Sequence, residues 1–223
     1  MQHIIKSSAC VEGSVTPPGD KSISHRALLL NSISDGTAHI TNLCVGDDRS
    51  SMIHCLKSLG TQIRKNSSCS ITQSQECFEI KGRPDKLLTE PSRVLNAGNS
   101  GTTMRLITGL LAAQPFFSVI TGDRFLNARP MERIIHPLNS MGANVIGRSN
   151  NSLGPLAIQG NHLNGIEYTL PTPSAQIKSS ILIAGLYAQN ETKIHQPSAS
   201  RDHTELMMKT MGADINIQGL DVS

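Results

Sequence analysis

Hydrophobic and polar positions follow the same succession three times along this chain. Each set begins with a segment that is small or polar at its start and strongly apolar afterwards, which is typical of a helix buried on most sides. These segments are SISHRALLLNSI (22–33), SGTTMRLITGLLA (100–112) and SAQIKSSILIAGLYA (174–188). A short β-like run follows in each set, which predicts a strand: GTAHIT (36–41), FFSVIT (116–121) and ETKIHQ (191–196).

A second, amphipathic helix is predicted after each of these strands. The segments are SMIHCLKSLGTQI (51–63), RIIHPLNSMGANV (133–145) and ELMMKTMGADINI (205–217). Each contains a Leu-Gly or Met-Gly pair, after which apolar and polar residues alternate. Glycine adopts the left-handed conformation without strain, so Gly60, Gly142 and Gly212 are predicted helix ends. Further strands are predicted at CFEIKG (77–82) and PLAIQG (155–160). The alternative is the ordinary alternation of helices and strands in an α/β protein. An internal repeat is favoured because the glycines, the residues at the helix starts and the order of the elements match among the three sets.

Composition narrows the possible function classes. The chain has 223 residues, 38% of them hydrophobic, which is enough for a real core. A net charge of +3, four Phe, two Tyr and no Trp argue against a nucleic-acid partner. No apolar run suits a signal peptide or a membrane span, so we expect neither export nor a membrane partner. Five cysteines without CxxC spacing are expected to be free thiols in a reducing cytoplasm rather than disulfides or zinc ligands: Cys10, Cys44, Cys55, Cys69 and Cys77.

The starts of the three apolar helices are candidate anion sites. They read Lys21-Ser22, Asn99-Ser100-Gly101-Thr102 and Ser174-Ala175-Gln176. Free backbone N–H groups and the positive end of the helix dipole attract anions, and a pseudo-threefold arrangement would bring the three starts to one face. Ordinary N-capping is the alternative for each start alone. A lysine near a helix N-terminus is unfavourable without an anion, so Lys21 and Arg26 are interpreted as ligand groups.

Two arginines occupy corresponding turns before second helices of the repeat. Arg129 lies in LNARPMERII and Arg201 in SASRDHTELMM. The planar guanidinium suits carboxylate and phosphate, so the pair suggests a substrate with more than one anionic group. Surface ion pairs with Glu132 and Asp202 are the alternative. Neighbouring Asp202 and His203 are expected to serve a turn or a cap rather than a catalytic dyad.

Five segments together resemble the 5-enolpyruvylshikimate-3-phosphate synthase family, and they span almost the whole chain: PGDKSISHRALLL, NAGNSGTTMRLITGLLA, GDRFLNARPMERIIHPLNSMGA, PSAQIKSSILIAGLYA and PSASRDHTELMMKTMGA. The resemblance implies an inside-out α/β fold of three βαβαββ repeats about a pseudo-threefold axis. It also implies transfer of the enolpyruvyl group of phosphoenolpyruvate to the 5-hydroxyl of shikimate-3-phosphate, with release of phosphate, in aromatic amino acid synthesis. No cofactor and no metal are expected, and we expect a monomer.

The resemblance also implies residue roles. Its shikimate-3-phosphate ligands are Lys21, Ser22, Arg26, Ser174, Ala175, Gln176 and Arg201. Its phosphoenolpyruvate ligands are Lys21, Gly101, Arg129 and Gln176. Ala175 stands where many members have a second serine, so one hydroxyl contact is in doubt. The inhibitor glyphosate, which competes with phosphoenolpyruvate in this family, would bind on the same side.

Two alternatives to this function stay open. A UDP-N-acetylglucosamine enolpyruvyl transferase would have asparagine after the lysine and a cysteine in the loop before Arg-Pro, whereas this chain has Ser22 and the loop TGDRFLNARP. A non-catalytic anion-binding module is the other alternative.

The resemblance divides the chain into two parts. It assigns residues 1–17 to a segment packed on another domain, and residues 18–223 to one domain with repeats at about 20–82, 92–160 and 166–223. A second domain that carries the family's acid/base Asp and Glu has no counterpart here. We therefore expect the chain to be inactive alone, with Lys21 its one possible catalytic residue.

Overall fold

A computed structural model describes residues 4, 10, 12–67, 76–83 and 87–223. Its helices are α1 (Lys21–Ser32), α2 (Asp47–Ser58), α3 (Gly101–Leu111), α4 (Glu132–Ser140), the single turn α5 (Arg148–Asn151), α6 (Ala175–Gly185) and α7 (His203–Thr210). Its strands are β1 (Thr37–Thr41), β2 (Gln62–Asn66), β3 (Cys77–Lys81), β4 (Leu95–Asn96), β5 (Phe117–Thr121), β6 (Asn144–Gly147), β7 (Leu153–Gln159), β8 (Glu167–Thr169), β9 (Lys193–His195), β10 (Ile217–Gln218) and β11 (Asp221–Val222).

The strands form three separate sheets with matching topology. Their orders are β1-β3-β2, β4-β5-β7-β6 and β8-β9-β11-β10. In each sheet the last strand of the copy lies between the two strands that precede it and pairs antiparallel with both. In the second and third copies a short leading strand, β4 or β8, joins in parallel. The mixed α/β fold with three repeats is therefore confirmed, although the sequence pattern did not reveal β4 and β8.

The predicted helix pairs are present in each copy. Gly60, Gly142 and Gly212 follow the second helices with φ of +88°, +102° and +90°, which confirms them as left-handed stops. Helix α2 begins four residues before the segment assigned to it, and Asp47 and Asp48 occupy its first turn, where carboxylates complement the helix dipole.

The first helices α1, α3 and α6 form the centre of the core. Leu28, Leu106 and Ile181 are among their fully buried side chains, and all three belong to one hydrophobic cluster. Helices α3 and α6 approach closely at Gly109, where an added Cβ would lie 2.4 Å from the carbonyl oxygen of Ser180. Burial on most sides explains why these helices lack a polar stripe.

Of the five cysteines, Cys69 lies outside the described residues. Cys44 and Cys55 are buried free thiols, Cys77 is also buried, and Cys10 is exposed. Burial raises the pKa of the Cys55 thiol to about 12, so this thiol is protonated at neutral pH. Among the described residues, no helix is long and apolar enough to cross a membrane.

Candidate functional site

Six helix starts meet on one side of the domain, and hydrogen bonds connect them. The N-terminal turn of α1 is bonded to α2 through Lys21, to the cap of α3 through His25, and to the turn before α7 through Ser22. The start of α3 is bonded to α6 through Thr102 and to the turn before α4 through Arg105. We call this surface the helix-start face. The predicted convergence of the apolar helices is thus confirmed.

All three apolar helices are capped by a side chain of their own. Asp20, Ser100 and Ser174 are the N-caps, and each accepts a hydrogen bond from the backbone N–H three residues on. The bond from the Ile23 N–H holds the pKa of Asp20 below its usual range. Capping therefore accounts for one N–H of each helix, and the remaining first-turn N–H groups have no partner within the helix.

Lys21 and Ser22, from the first copy, lie at the start of α1. The Lys21 side chain is 58% exposed, and its Nζ lies 2.6 Å from Asp48 Oδ2. The unfavourable position of this lysine at a helix N-terminus is therefore offset in part by the protein's own carboxylate. Ser22 Oγ accepts a 2.8 Å hydrogen bond from the Arg201 guanidinium, which joins two of the predicted ligands.

Arg26 lies beneath the face rather than on it. It is 3% exposed, and its guanidinium donates to Thr204 Oγ1, Ser179 Oγ and the Ser22 carbonyl. Burial, followed by the charge of Arg201, lowers the pKa of Arg26. Three of its five N–H groups are thereby used within the protein, and two remain for another acceptor.

Gly101 and Arg129 are brought together by the second copy. An added Cβ at Gly101 would lie 2.8 Å from one guanidinium nitrogen of Arg105 and 3.3 Å from one of Arg129. Arg129 is exposed and donates to Asn99 Oδ1 at 2.8 Å. Asn99 in turn donates to Asp123, and bonds from the Leu126 N–H and then from Asn99 lower the pKa of that carboxyl.

Gln176 connects the third copy to the second. It accepts a 2.6 Å hydrogen bond from Arg105 and donates a 3.0 Å bond to Thr102 Oγ1. Ala175, the first residue of α6, is buried beside it. All the residues predicted as ligands therefore lie on or directly under the helix-start face.

Three arginines of this face are not ion-paired with a carboxylate of the described residues. In the described ranges of the chain, Arg105, Arg129 and Arg201 form no ion pair with a carboxylate within 4.0 Å. The alternative pairing of Arg129 with Glu132 and of Arg201 with Asp202 is therefore wrong. Guanidinium groups that form no direct ion pair and lie beside helix N-termini are suited to phosphate and carboxylate.

Two residues of the helix-start face, Arg105 and Asp48, were not predicted from the sequence. Arg105 is buried in α3, and burial, with the charges of Arg133 and Arg129, lowers its pKa to about 10. A single charged residue in the apolar run MRLITGLL was the available signal. The partnership of Asp48 with Lys21 spans 27 positions, so no local pattern indicated it.

Comparison with known proteins gives a consistent result. The family model of EPSP synthase (3-phosphoshikimate 1-carboxyvinyltransferase) matches residues 5–222. A 3-phosphoshikimate 1-carboxyvinyltransferase from Thermodesulfovibrio yellowstonii is 47% identical over 217 residues, which cover 97% of this chain and 49% of that protein. One from Alkaliphilus metalliredigens is 48% identical over 206 residues, which cover 92% and 47%.

Solved structures agree with the sequence relatives. An EPSP synthase from Acinetobacter baumannii superimposes with a TM-score of 0.87 at 41% identity, covering 94% of this chain and 46% of that one. This similarity confirms the predicted enolpyruvyl transferase fold. The chain spans about half the length of the curated relatives it matches.

Proposed function

This chain belongs to the EPSP synthase family, and we propose that it supplies the anion-binding half of a 3-phosphoshikimate 1-carboxyvinyltransferase. The reaction is transfer of the enolpyruvyl group from phosphoenolpyruvate to the 5-hydroxyl of shikimate-3-phosphate, with release of phosphate. The observation that carries the proposal is the helix-start face, where the N-termini of the three apolar helices lie beside arginines that have no carboxylate within 4.0 Å among the described residues. Both substrates are polyanions, and such a surface favours them.

The ligand assignments follow the geometry of the face. We assign shikimate-3-phosphate to the side formed by α1, α6 and the turn before α7, where Arg201 already donates to Ser22. We assign phosphoenolpyruvate to the side formed by Gly101 and Arg129, with Gln176 between the two sides. Lys21 is released to a ligand when an incoming anion competes with Asp48 for its ammonium group.

We also propose that the chain folds alone but does not catalyse. The three repeats bury their apolar helices against one another in one cluster, which is a core of ordinary domain size. The reaction needs proton transfer to and from the substrates, and three carboxylates of this face are already engaged: Asp20 caps a helix, Asp48 pairs with Lys21 and Asp123 bonds a loop. Residues 18–223 form one domain in this proposal, and residues 1–17 pack on another, with the enzyme a cytoplasmic monomer.

The proposal is tested on residues 1–223. We expect a cooperative unfolding transition, no phosphate release with both substrates, and weak shikimate-3-phosphate binding by titration calorimetry that Arg201→Ala abolishes. The matched control is Arg64→Ala, which removes an exposed arginine of β2. Phosphate release is expected when the chain is mixed with the remaining half of the Thermodesulfovibrio yellowstonii relative.

The outcomes separate the alternatives. Binding without turnover in the mixture would support a non-catalytic anion-binding module. Shikimate-3-phosphate binding that survives Arg201→Ala would contradict the assigned site. Turnover by the chain alone would show that the catalytic groups lie within these residues.

A further inference from the structure

The first copy of the repeat holds a leucine between the ends of two helices. Leu88, in the segment after β3, is 6% exposed, and its N–H donates to Gln114 Oε1 at 2.9 Å, just beyond α3. The next residue, Thr89, donates its N–H at 2.9 Å to the carbonyl of Leu59, which caps the end of α2. We call such a groove, between the end of a second helix and the end of the first helix of the next copy, a leucine socket.

The second copy repeats this arrangement after β7. Leu163 is 2% exposed, and its carbonyl accepts a 2.8 Å hydrogen bond from the Gln189 N–H, just beyond α6. The next residue, Asn164, donates its N–H at 2.8 Å to the carbonyl of Met141, which caps the end of α4. In both copies, the residue after the leucine therefore bonds the last carbonyl before the glycine stop.

The third socket, between α7 and α1, is more exposed than the other two. Met211 is the counterpart of Leu59 and Met141, because each directly precedes a glycine stop. Leu59 and Met141 are fully buried, whereas Met211 is 40% exposed. No described residue donates a backbone N–H to the Met211 carbonyl. The third socket therefore exposes the apolar side chain and the backbone acceptor that a leucine-bearing segment covers in the other two.

The glycine stops show the same difference. An added Cβ at Gly60 would lie 2.6 Å from Thr89 Oγ1, and one at Gly142 would lie 3.4 Å from the His162 carbonyl oxygen. The leucine-bearing segment thus contacts the stop in both copies. At Gly212 no atom of the described residues would lie within 4 Å of the added Cβ.

A cavity of about 530 Å³ lies at the third socket. Its apolar lining comes from three helix ends: Leu30, Ile33, Leu186, Met208 and Met211. Asp35 and Asp214 also line it, and neither forms an ion pair within 4.0 Å among the described residues. An aliphatic side chain suits this lining, and the two carboxylates disfavour acidic residues beside it, because like charges repel.

We propose that the third socket binds an extended segment from the other half of the enzyme, which places one leucine-sized aliphatic side chain in the cavity and donates a backbone N–H to the Met211 carbonyl. The first two sockets are filled by the segments that follow β3 and β7, the last strands of their copies. The same order assigns the third socket to the residues that continue from β11 in the enzyme. The inference rests on the proposed function, in which this chain forms half of an enzyme.

A short extension of the chain tests the socket by itself. Strand β11 pairs with β9 as β7 pairs with β5, with Val222 in the place of Leu156. A copy of residues 158–165 placed after Ser223 therefore continues the strand in register, and the matched control has serine in place of the single leucine of this copy. We expect the leucine extension to raise Tm by about 4–8 °C over the serine extension, because one leucine side chain is buried. It should also slow the oxidation of Met211 by hydrogen peroxide about fivefold, as measured by peptide mass spectrometry.

A chimera tests the occupant. Residues 1–223 are joined to the remaining half of the Thermodesulfovibrio yellowstonii relative, and Met211 should be oxidised about fivefold more slowly in the chimera than in residues 1–223 alone. Met211→Asp should lower Tm by about 4–8 °C in the chimera, where it places a charge against an apolar segment, and by less than half as much in residues 1–223. Ile146→Asp, at a 55% exposed position of β6, is the matched control and should have the same small effect in both.

Three results would count against the inference. Equal Tm and equal Met211 oxidation in the leucine and serine extensions would overturn it. So would a Met211 already protected in residues 1–223 alone, since this chain or a second copy of it would then fill the socket. Met211 oxidation as fast in the chimera as in residues 1–223 would overturn the assignment of the occupant.

The extension pair needs no second half, so it decides the socket even if the chimera does not fold. The proposed function is judged separately by phosphate release. A chimera that protects Met211 but releases no phosphate would contradict the proposed function and support the socket. A chimera that releases phosphate while Met211 stays exposed to oxidation would do the reverse.

Discussion

Lys178 and Glu205 form an ion pair inside the domain, and breaking it should be costly. Lys178 Nζ lies 2.5 Å from Glu205 Oε1, with side-chain exposures of 1% and 2%. The lysine also donates to Gln196 Oε1 at 2.9 Å. Glu205 Oε2 is buried without a hydrogen-bond partner among the described residues, and Lys178 is the one cation there within 4.0 Å of this carboxylate, while Arg26 attracts it over a longer distance. The substitution Lys178→Met removes that cation and keeps a side chain of similar length.

The magnitude follows from the burial. Removal of one partner leaves an uncompensated buried charge, which typically costs about 3–5 kcal/mol. For a domain of this size, each kcal/mol lowers Tm by about 2–4 °C, so Lys178→Met should lower Tm by about 6–20 °C. The exposed pair Lys193–Glu191, with an N–O distance of 3.1 Å and exposures of 45% and 58%, is the matched control. Lys193→Met should cost far less than Lys178→Met, because an exposed ion pair contributes little to stability.

Urea unfolding of residues 1–223 measures these free energies, and calorimetry measures Tm. The double variant Lys178→Met/Glu205→Met removes both charges and should recover a large part of the loss, because an apolar pair can replace a buried ion pair at little cost. A Lys178→Met penalty no greater than that of Lys193→Met would refute the reasoning. So would a double variant less stable than Lys178→Met.

Three further predictions concern ligand affinity and pH. In an enzyme that contains this chain, Arg129→Ala should raise KM for phosphoenolpyruvate about tenfold to a hundredfold and that for shikimate-3-phosphate far less, because a charge-assisted hydrogen bond is lost; equal effects on both KM values would contradict the assignment. Wild type, with Gly101, should be glyphosate-sensitive, and Gly101→Ala should raise Ki for glyphosate more than KM for phosphoenolpyruvate, because glyphosate is the longer ligand; an unchanged Ki would refute this. Hydrogen bonds to Asp221 and then Glu167 raise the pKa of His195. The bonds of His195 with Asp221 and Glu167 therefore stabilise the fold fully below the ordinary histidine pKa of 6.5. This stabilisation is lost as the pH rises through the raised pKa. Urea unfolding should show a larger gap between wild type and His195→Gln at about pH 6 than at about pH 8.5, and a gap independent of pH would oppose the assignment.

The sequence by itself determined the repeat, because its signals are local. Apolar helices with small polar starts, glycine stops and alternating runs depend on backbone sterics and on solvent exposure, which act over a few residues. The same local chemistry indicated the predicted ligand residues Lys21, Gly101 and Arg129, since helix starts and arginine turns can be recognised in a single copy. The short strands β4 and β8 escaped this reasoning, because two or three residues carry no period and depend on a neighbouring strand for their hydrogen bonds.

Only the tertiary structure decided which charges are bonded inside the protein and which stay exposed on the helix-start face. Arg26 and Arg129 look equivalent as sequence candidates, yet Arg26 is buried with bonds to Thr204 and Ser179, whereas Arg129 is exposed. Likewise, the contact of Arg105 with Gln176 spans 71 positions. The free energy of a charge depends on its solvent exposure and on partners from other copies, and only the packing of the three repeats brings those partners together.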